Sequence, residues 1–161
     1  MYGVPTLEAL CEAVRRQGCT TLALTDRNGL YGVIRFLEVA RAAGLQPILG
    51  AELVHDRHRA VLLAKTPEGY TNLCRLLSTR HCDASFHFIA SVAQHRAGLI
   101  ILSDDAPAIR AWRDASPDDL YVELTPGPQL HHAVALSRQL GLPPVATTRA
   151  AFLQPTEYHA H

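Results

Sequence analysis

Carboxylate, hydroxyl and guanidinium side chains recur directly after short apolar runs of this 161-residue chain. Asp26 follows the run Leu22 to Leu24, Glu52 follows Pro47 to Leu49, and Glu123 lies in the run LYVEL. Functional groups gather at the carboxyl ends of strands in parallel sheets and barrels, so this spacing predicts one polar rim. Further members of the same rim are expected at Ser103, Asp104, Asp105, Thr147, Thr148 and Arg149.

The elements that must position this rim alternate between strands and helices. Strands are predicted at Leu22–Leu24, Pro47–Leu49, Leu53–Val54, Ala60–Ala64, Leu99–Leu102, Leu120–Leu124 and Val145–Ala146. Helices are predicted after Thr6, at Val33–Ala43, after Thr66, at Pro107–Arg113 and at Gln129–Leu140, while Phe86 to Ile89 has no clear pattern. Short loops between successive β and α elements favour a largely parallel sheet with helices outside, and Ala60–Ala64 can form a hairpin with the strand before it.

Composition excludes several classes of protein. The chain is 48% hydrophobic and 19% charged, and 15 basic residues balance 15 acidic ones. This favours one domain over residues 1–161 with a single core, without strong direct nucleic-acid binding or a membrane span. A cytoplasmic location is the default expectation. The four cysteines lack C-x-x-C spacing, and buried free thiols are expected at Cys11 and Cys74.

An ordered series of motifs resembles the PHP (polymerase and histidinol phosphatase) domain at the front of bacterial DNA polymerase III alpha subunits and their error-prone relatives. The segment Leu22 to Glu52 resembles the family's T-D-H turn and the strand after it. Further matching segments are AVLLAKTPEGYTNLCRLL (60–77), GLIILS (98–103), LYVEL (120–124) and ALSRQLGLPPVATTRAAFL (135–153). The resemblance implies an α/β fold, a PHP-type distorted (β/α)7-like barrel that is incomplete at the N-terminal strand.

The chain departs from this family at the metal ligands. Arg27 and Arg59 stand where the family has histidine, although His58 could shift the second alignment by one residue, and Arg149 and Ala151 replace a late Asp and His. A guanidinium has no lone pair for a metal. The family's zinc or manganese is therefore not expected here, and no catalytic residue is predicted. The vestigial pocket is predicted to comprise Asp26, Arg27, Glu52, Arg59, Asp104, Glu123 and Arg149.

Two contacts are predicted for this pocket. Asp26, Glu52, Glu123 and Arg149 should converge on one rim, where the like charges of the Asp26 and Glu52 carboxylates should repel. At least one of Arg27 and Arg149 should then hold Asp26 or Glu52 through a hydrogen-bonded ion pair. Either Asp104 or Asp105 is expected to cap the helix that begins at Pro107, while Ser103 and the histidines indicate no catalytic arrangement.

Three functional hypotheses remain open. The first is a non-catalytic PHP domain of a DNA polymerase III alpha-like or error-prone chain, of which this sequence would be a fragment. Its role would be structural and protein-docking, with other polymerase domains and replisome proteins as partners. The open strand edge beside Leu22–Leu24 is expected to be covered by a homodimer or by the segment Met1 to Pro5. The second is an active metal-dependent PHP phosphoesterase or exonuclease, and the third is an unrelated small α/β binding protein.

Overall fold

The structure is a computed structural model that describes residues 6–148. Strands and helices alternate within this range, as the sequence predicts. The strands are β1 (Thr21–Arg27), β2 (Gln46–His55), β3 (His58–Ala64), β4 (Leu99–Ser103), β5 (Leu120–Leu124) and β6 (Pro144–Ala146). The helices are α1 (Leu7–Arg16), α2 (Val33–Ala42), α3 (Pro67–Cys82), α4 (Phe88–Gln94), α5 (Ala106–Ala115) and α6 (Leu130–Leu140).

The strands form one curled sheet in which spatial order follows chain order, from β1 to β6. The pairs β1–β2, β4–β5 and β5–β6 are parallel, whereas β3 is antiparallel to both of its neighbours. The predicted hairpin is therefore confirmed, and the sheet is mixed. Within residues 6–148, β1 pairs only with β2; the segment Met1 to Pro5, which is expected to cover its other edge, lies outside the described residues.

Helices cover one face of the sheet and create two apolar clusters. The larger one joins β2 to β5 with the helices α3 to α6 and contains the fully buried Trp112. The smaller one packs α1 and α2 on β1 and includes Phe36 and Cys11. All four cysteines are free, but only Cys11 is buried; Cys74 is half-buried, which corrects the expectation for that residue. No helix within 6–148 is long and apolar enough to span a membrane.

Side-chain caps begin three of the helices where the sequence predicts them. The hydroxyls of Thr6 and Thr66 accept hydrogen bonds from Ala9 N and Gly69 N at 3.2 and 3.1 Å. Asp105 Oδ1 accepts from Ala108 N at 3.3 Å, so Asp105 is the cap of α5. Each cap satisfies an amide that has no partner inside the helix, typically worth about 1 kcal/mol.

Two elements differ from the sequence-based expectation. The segment predicted as two short strands is one strand, β2, which continues through Gly50. A Cβ at Gly50 would lie 2.6 Å from the carbonyl oxygen of Leu62, so glycine here allows close strand approach instead of a turn. The stretch near Phe88 is the short helix α4, whose first residue is not capped by a side chain.

Candidate functional site

The register of the strands places the polar rim residues on two different faces of the sheet. Arg27 of β1 pairs with Glu52 of β2, and Glu52 pairs with Val61 of β3. Paired residues point to the same face and neighbours along a strand alternate. Arg59, two residues before Val61, therefore shares the face of Glu52. The register through β4 places Glu123 of β5 on this face as well.

The centre of that face is an ion-pair cluster, here named the Arg59 clasp and formed by Glu52, Arg59, Glu123 and Thr147. Arg59 Nε donates to Glu52 Oε1, and Arg59 Nη1 donates to Glu123 Oε2. A second, longer bond joins Arg59 Nη2 to Glu123 Oε1 at 3.4 Å, and Thr147 Oγ1 donates to the same oxygen at 2.6 Å. One guanidinium thus connects carboxylates on β2 and β5.

Burial makes this cluster energetically sensitive. The side chain of Glu123 is 1% exposed, and that of Arg59 is 15% exposed. Burial by itself lowers the pKa of Arg59, but the hydrogen bonds and charges of Glu123 and Glu52 outweigh it, so the pKa of Arg59 is raised above its ordinary value. The guanidinium is consequently a permanent cation between two carboxylates. It relieves the repulsion that two nearby carboxylates would otherwise exert.

Asp26 does not join the Arg59 clasp. It pairs with Ala51, one residue before Glu52, and therefore points to the opposite face of the sheet. There Asp26 Oδ2 accepts a hydrogen bond from Gly32 N at 3.2 Å, which fixes the loop leading into α2. The predicted convergence of Asp26 with Glu52 is wrong, because the register places the neighbouring Arg27 beside Glu52.

An arginine outside the predicted pair holds Glu52. It is Arg59, which the sequence named as a pocket residue but not as this partner. Arg27 stands level with Glu52 in the register, and its own contact with a carboxylate stays a prediction. Arg149 lies outside the described residues, so its place on the rim and its contact with a carboxylate stay predictions.

A second polar pair lies on the helix-bearing face. His58 Nδ1 and Asp105 Oδ2 are 2.6 Å apart, and the His58 ring stacks on Phe88 with 5.5 Å between the ring centroids. Ser103 Oγ donates to the carbonyl of Arg59 at 2.7 Å and accepts from Asp105 N at 3.1 Å. Ser103 is bonded to the backbone and buried, so these residues form a structural link between β3 and α5.

The loop after β1 is held in place by Asn28, which sequence reasoning did not single out. Asn28 has a positive φ of 52° and accepts from Val54 N through its side chain at 2.7 Å. Its own amide donates to the carbonyl of Glu52 at 2.8 Å, and its carbonyl lies 2.7 Å from His81 Nε2. An Asn directly after an Asp-containing strand is a turn signal that could have indicated this role.

The described residues of the Arg59 clasp do not fit a metal centre. Within 6–148 there is no group of three or more His, Cys, Asp or Glu side chains arranged to hold a metal ion. The space between the two glutamates is taken by a guanidinium, which offers only hydrogen-bond donors. The chemistry available here is charge pairing. Asp104 follows β4 at the same rim and lines a cleft between α5 and α6.

Comparison with known proteins identifies the family. Residues 1–125 match the family model of the PHP domain. The chain belongs to the PHP family. It is 31% identical to the DNA polymerase III alpha subunit of Pseudomonas fluorescens over 99% of this chain, and 34% identical to an error-prone DNA polymerase of Pseudomonas aeruginosa over 89% of it. The chain spans only 16% and 15% of those two polymerases.

Solved structures show the same fold at low sequence identity. A PHP-type fold is shared with a protein of Bifidobacterium adolescentis assigned as a metal-dependent phosphoesterase, with a TM-score of 0.60, 11% identity, and coverage of 93% of this chain and 83% of the other. An amidohydrolase of Chromobacterium violaceum gives a TM-score of 0.58, 15% identity, and coverage of 96% and 84%. These likenesses confirm the predicted fold class, and the family match excludes the hypothesis of an unrelated binding protein.

Proposed function

We propose that this PHP domain is a non-catalytic structural and protein-docking module of a DNA polymerase III alpha-like or error-prone polymerase chain. The observation that carries the proposal is the guanidinium of Arg59 between Glu52 and Glu123. A metal-dependent hydrolase needs lone-pair donors around its metal and an open position for water or substrate. A cation built into the protein supplies neither.

The relatives support the polymerase context of this proposal. They are long polymerase chains in which the matched region is a small part, so the other domains of such a chain are the expected first partners. Replisome proteins are the expected external partners. The equal numbers of acidic and basic residues give no general attraction to DNA, which favours contacts with protein over contacts with nucleic acid.

The catalytic part of the proposal is tested by hydrolysis and by metal retention. The purified chain is incubated with bis-p-nitrophenyl phosphate and with a single-stranded oligonucleotide, in Mn²⁺, in Zn²⁺ and in EDTA. We expect no turnover above buffer and no stoichiometric metal after dialysis. Metal-dependent turnover that disappears in Glu52→Gln would overturn the proposal and establish the alternative, an active phosphoesterase or exonuclease.

The structural part is tested by the thermal unfolding midpoint. Because the guanidinium of Arg59 already lies between the two glutamates, addition of Zn²⁺ or EDTA should leave the midpoint of the wild type unchanged. A rise of several degrees with Zn²⁺ in the wild type would show that the folded state binds the metal. The same scan on Arg59→Ala shows whether the vacated carboxylates select cations.

A further inference from the structure

The strongest unassigned feature is the cleft between α5 and α6 at the polar rim. Its volume is about 750 Å³. The floor is made of small and apolar residues from both helices: Ala106, Pro107, Ala133 and Leu136. The α6 wall uses His132 and Gln139, two positions seven residues apart on one side of the helix. That wall is about 10 Å long, which matches about three residues of extended polypeptide.

Two arginines, one from a turn and one from a helix, also line this cleft. Arg57, in the turn between β2 and β3, and Arg110 of α5 are both exposed and line the cleft. Within residues 6–148, Arg57 makes no hydrogen bond or ion pair. Arg110 Nη2 donates to the side-chain amide oxygen of the neutral Gln139 at 2.7 Å. A carboxylate is a stronger acceptor for a guanidinium than a side-chain amide. Both arginines can therefore still bind an anion.

Two acidic residues line the cleft, and neither is free. Asp105 uses one oxygen for the α5 cap and the other for His58, and Asp104 has a partner of its own. Arg59 also lines the cleft, but its guanidinium is already hydrogen-bonded to Glu52 and Glu123. The charge complementarity of the cleft is thus set by Arg57 and Arg110. Among residues 6–148 the lining contains no Trp, Tyr or Phe on which a base could stack, which argues against single-stranded nucleic acid.

We infer that this cleft docks a short, extended, acidic segment of a partner protein, with a small apolar side chain on the floor and carboxylates on Arg57 and Arg110. The inference rests on the proposed docking function and names where the partner binds. Charged rims of this kind chiefly set partner choice and association rate, so affinity should fall as ionic strength rises.

The experiment is a selection of random octapeptides on phage against the purified chain, with counter-selection against Arg57→Glu/Arg110→Glu. We expect enrichment of peptides in which two or more Asp or Glu flank a small apolar residue. Fluorescence polarisation of the synthesised peptides should show at least a tenfold weaker Kd for the charge-reversed variant. The matched control is Arg41→Glu/Arg138→Glu, which changes two exposed arginines outside the cleft and should bind as the wild type does.

Several outcomes overturn the inference. No enrichment, enrichment of peptides without acidic residues, or equal binding to the charge-reversed variant would each do so. Inorganic phosphate or oligo(dT) that binds through Arg57 and Arg110, while the peptides do not, would assign the cleft to another ligand. If circular dichroism shows that the charge-reversed variant is misfolded, Arg57→Gln/Arg110→Gln replaces it. A failure here leaves the hydrolysis test untouched, so the two proposals fail separately.

Discussion

His58 and Arg59 are neighbours on β3. Their side chains lie on opposite faces of the sheet and make different kinds of contact. Arg59 is a permanent cation that spans from Glu52 on β2 to Glu123 on β5. His58 contacts Asp105, which in turn caps α5, and it stacks on Phe88 of α4. The first residue connects strands across the polar rim, whereas the second attaches helices to the sheet.

The difference shows that the charge of a residue and its position on the sheet contribute separately to stability. On the Arg59 face, removal of one partner leaves a carboxylate in a dry environment, and a buried unpaired charge is costly. On the His58 face, loss of a partner removes a hydrogen bond and a cap that water can partly replace. The two faces should therefore respond unequally to substitution.

Arg59→Met should give the largest loss of stability. The substitution keeps an unbranched side chain but removes the guanidinium that Glu123 contacts, and breaking a buried pair in this way costs about 3 kcal/mol or more. Urea denaturation measures the free energy of unfolding. The control is Arg57→Met in the adjoining turn, which should change this free energy by less than about 0.5 kcal/mol.

A double variant sharpens the same prediction. Glu123→Gln in the Arg59→Met background removes the buried carboxylate charge that Arg59 no longer balances, so it should recover part of the lost stability. Equal losses of unfolding free energy in Arg59→Met and Arg57→Met would contradict a role for Arg59 in balancing the charge of Glu123. So would a double variant in which the losses from Arg59→Met and Glu123→Gln simply add.

The fold was largely predictable because local signals and tertiary structure agree. Thr6, Thr66 and Asp105 begin helices where their side chains can cap, and alternation of apolar runs with helices indicated the α/β class. The sequence-based predictions are wrong where tertiary contacts, and not the local sequence, determine the conformation. Gly50 resembles a turn residue but permits close approach to β3, and α4 has neither a side-chain cap nor the length to show a period.

The site was predicted less completely because register is not encoded locally. The sequence identified Glu52, Arg59 and Glu123 as pocket residues, but it placed Asp26 beside them. In the register of β1 and β2, Arg27 pairs with Glu52, whereas Asp26 pairs with Ala51. This shift by one residue places Asp26 on the other face of the sheet. No local pattern predicts the contact of His58 either, because its partner Asp105 lies 47 residues further along the chain.

Asp105→Ala should give an intermediate effect. It removes the cap of α5 and the contact with His58 together, so we expect a loss of about 2 kcal/mol. Asp114→Ala at the exposed far end of α5 is the control, since surface substitutions of this kind change stability by less than about 0.5 kcal/mol. Equal denaturation midpoints for the two variants would contradict a linking role for Asp105.

Thr147→Val should have a smaller effect on the Arg59 clasp. The change deletes the hydroxyl that donates to Glu123 Oε1 but keeps the shape of the side chain. Because Glu123 retains Arg59, the expected loss is about 1 kcal/mol. Thr148→Val, at the exposed next position, should be neutral. A cost for Thr147→Val as large as that for Arg59→Met would show that the hydroxyl, and not the guanidinium, is the main partner of Glu123.

The smallest effect is expected at Lys65, whose ion pair is the solvent-exposed counterpart of the Arg59 clasp. Lys65 Nζ lies 2.9 Å from Asp119 Oδ1, and the lysine side chain is 52% exposed. The hydrogen bond and charge of Asp119 raise the pKa of Lys65, so any stability from this pair is present below the pKa of the unfolded lysine and is lost as pH rises through the folded pKa. Between pH 6 and pH 9 the unfolding midpoints of Lys65→Ala and of the wild type should therefore change in parallel. Any small difference between the two midpoints should disappear in 1 M NaCl. The deficit of Arg59→Met should persist in the same salt, because buried pairs are weakly screened. A salt-resistant deficit at Lys65, or a salt-sensitive one at Arg59, would break the distinction between the two pairs.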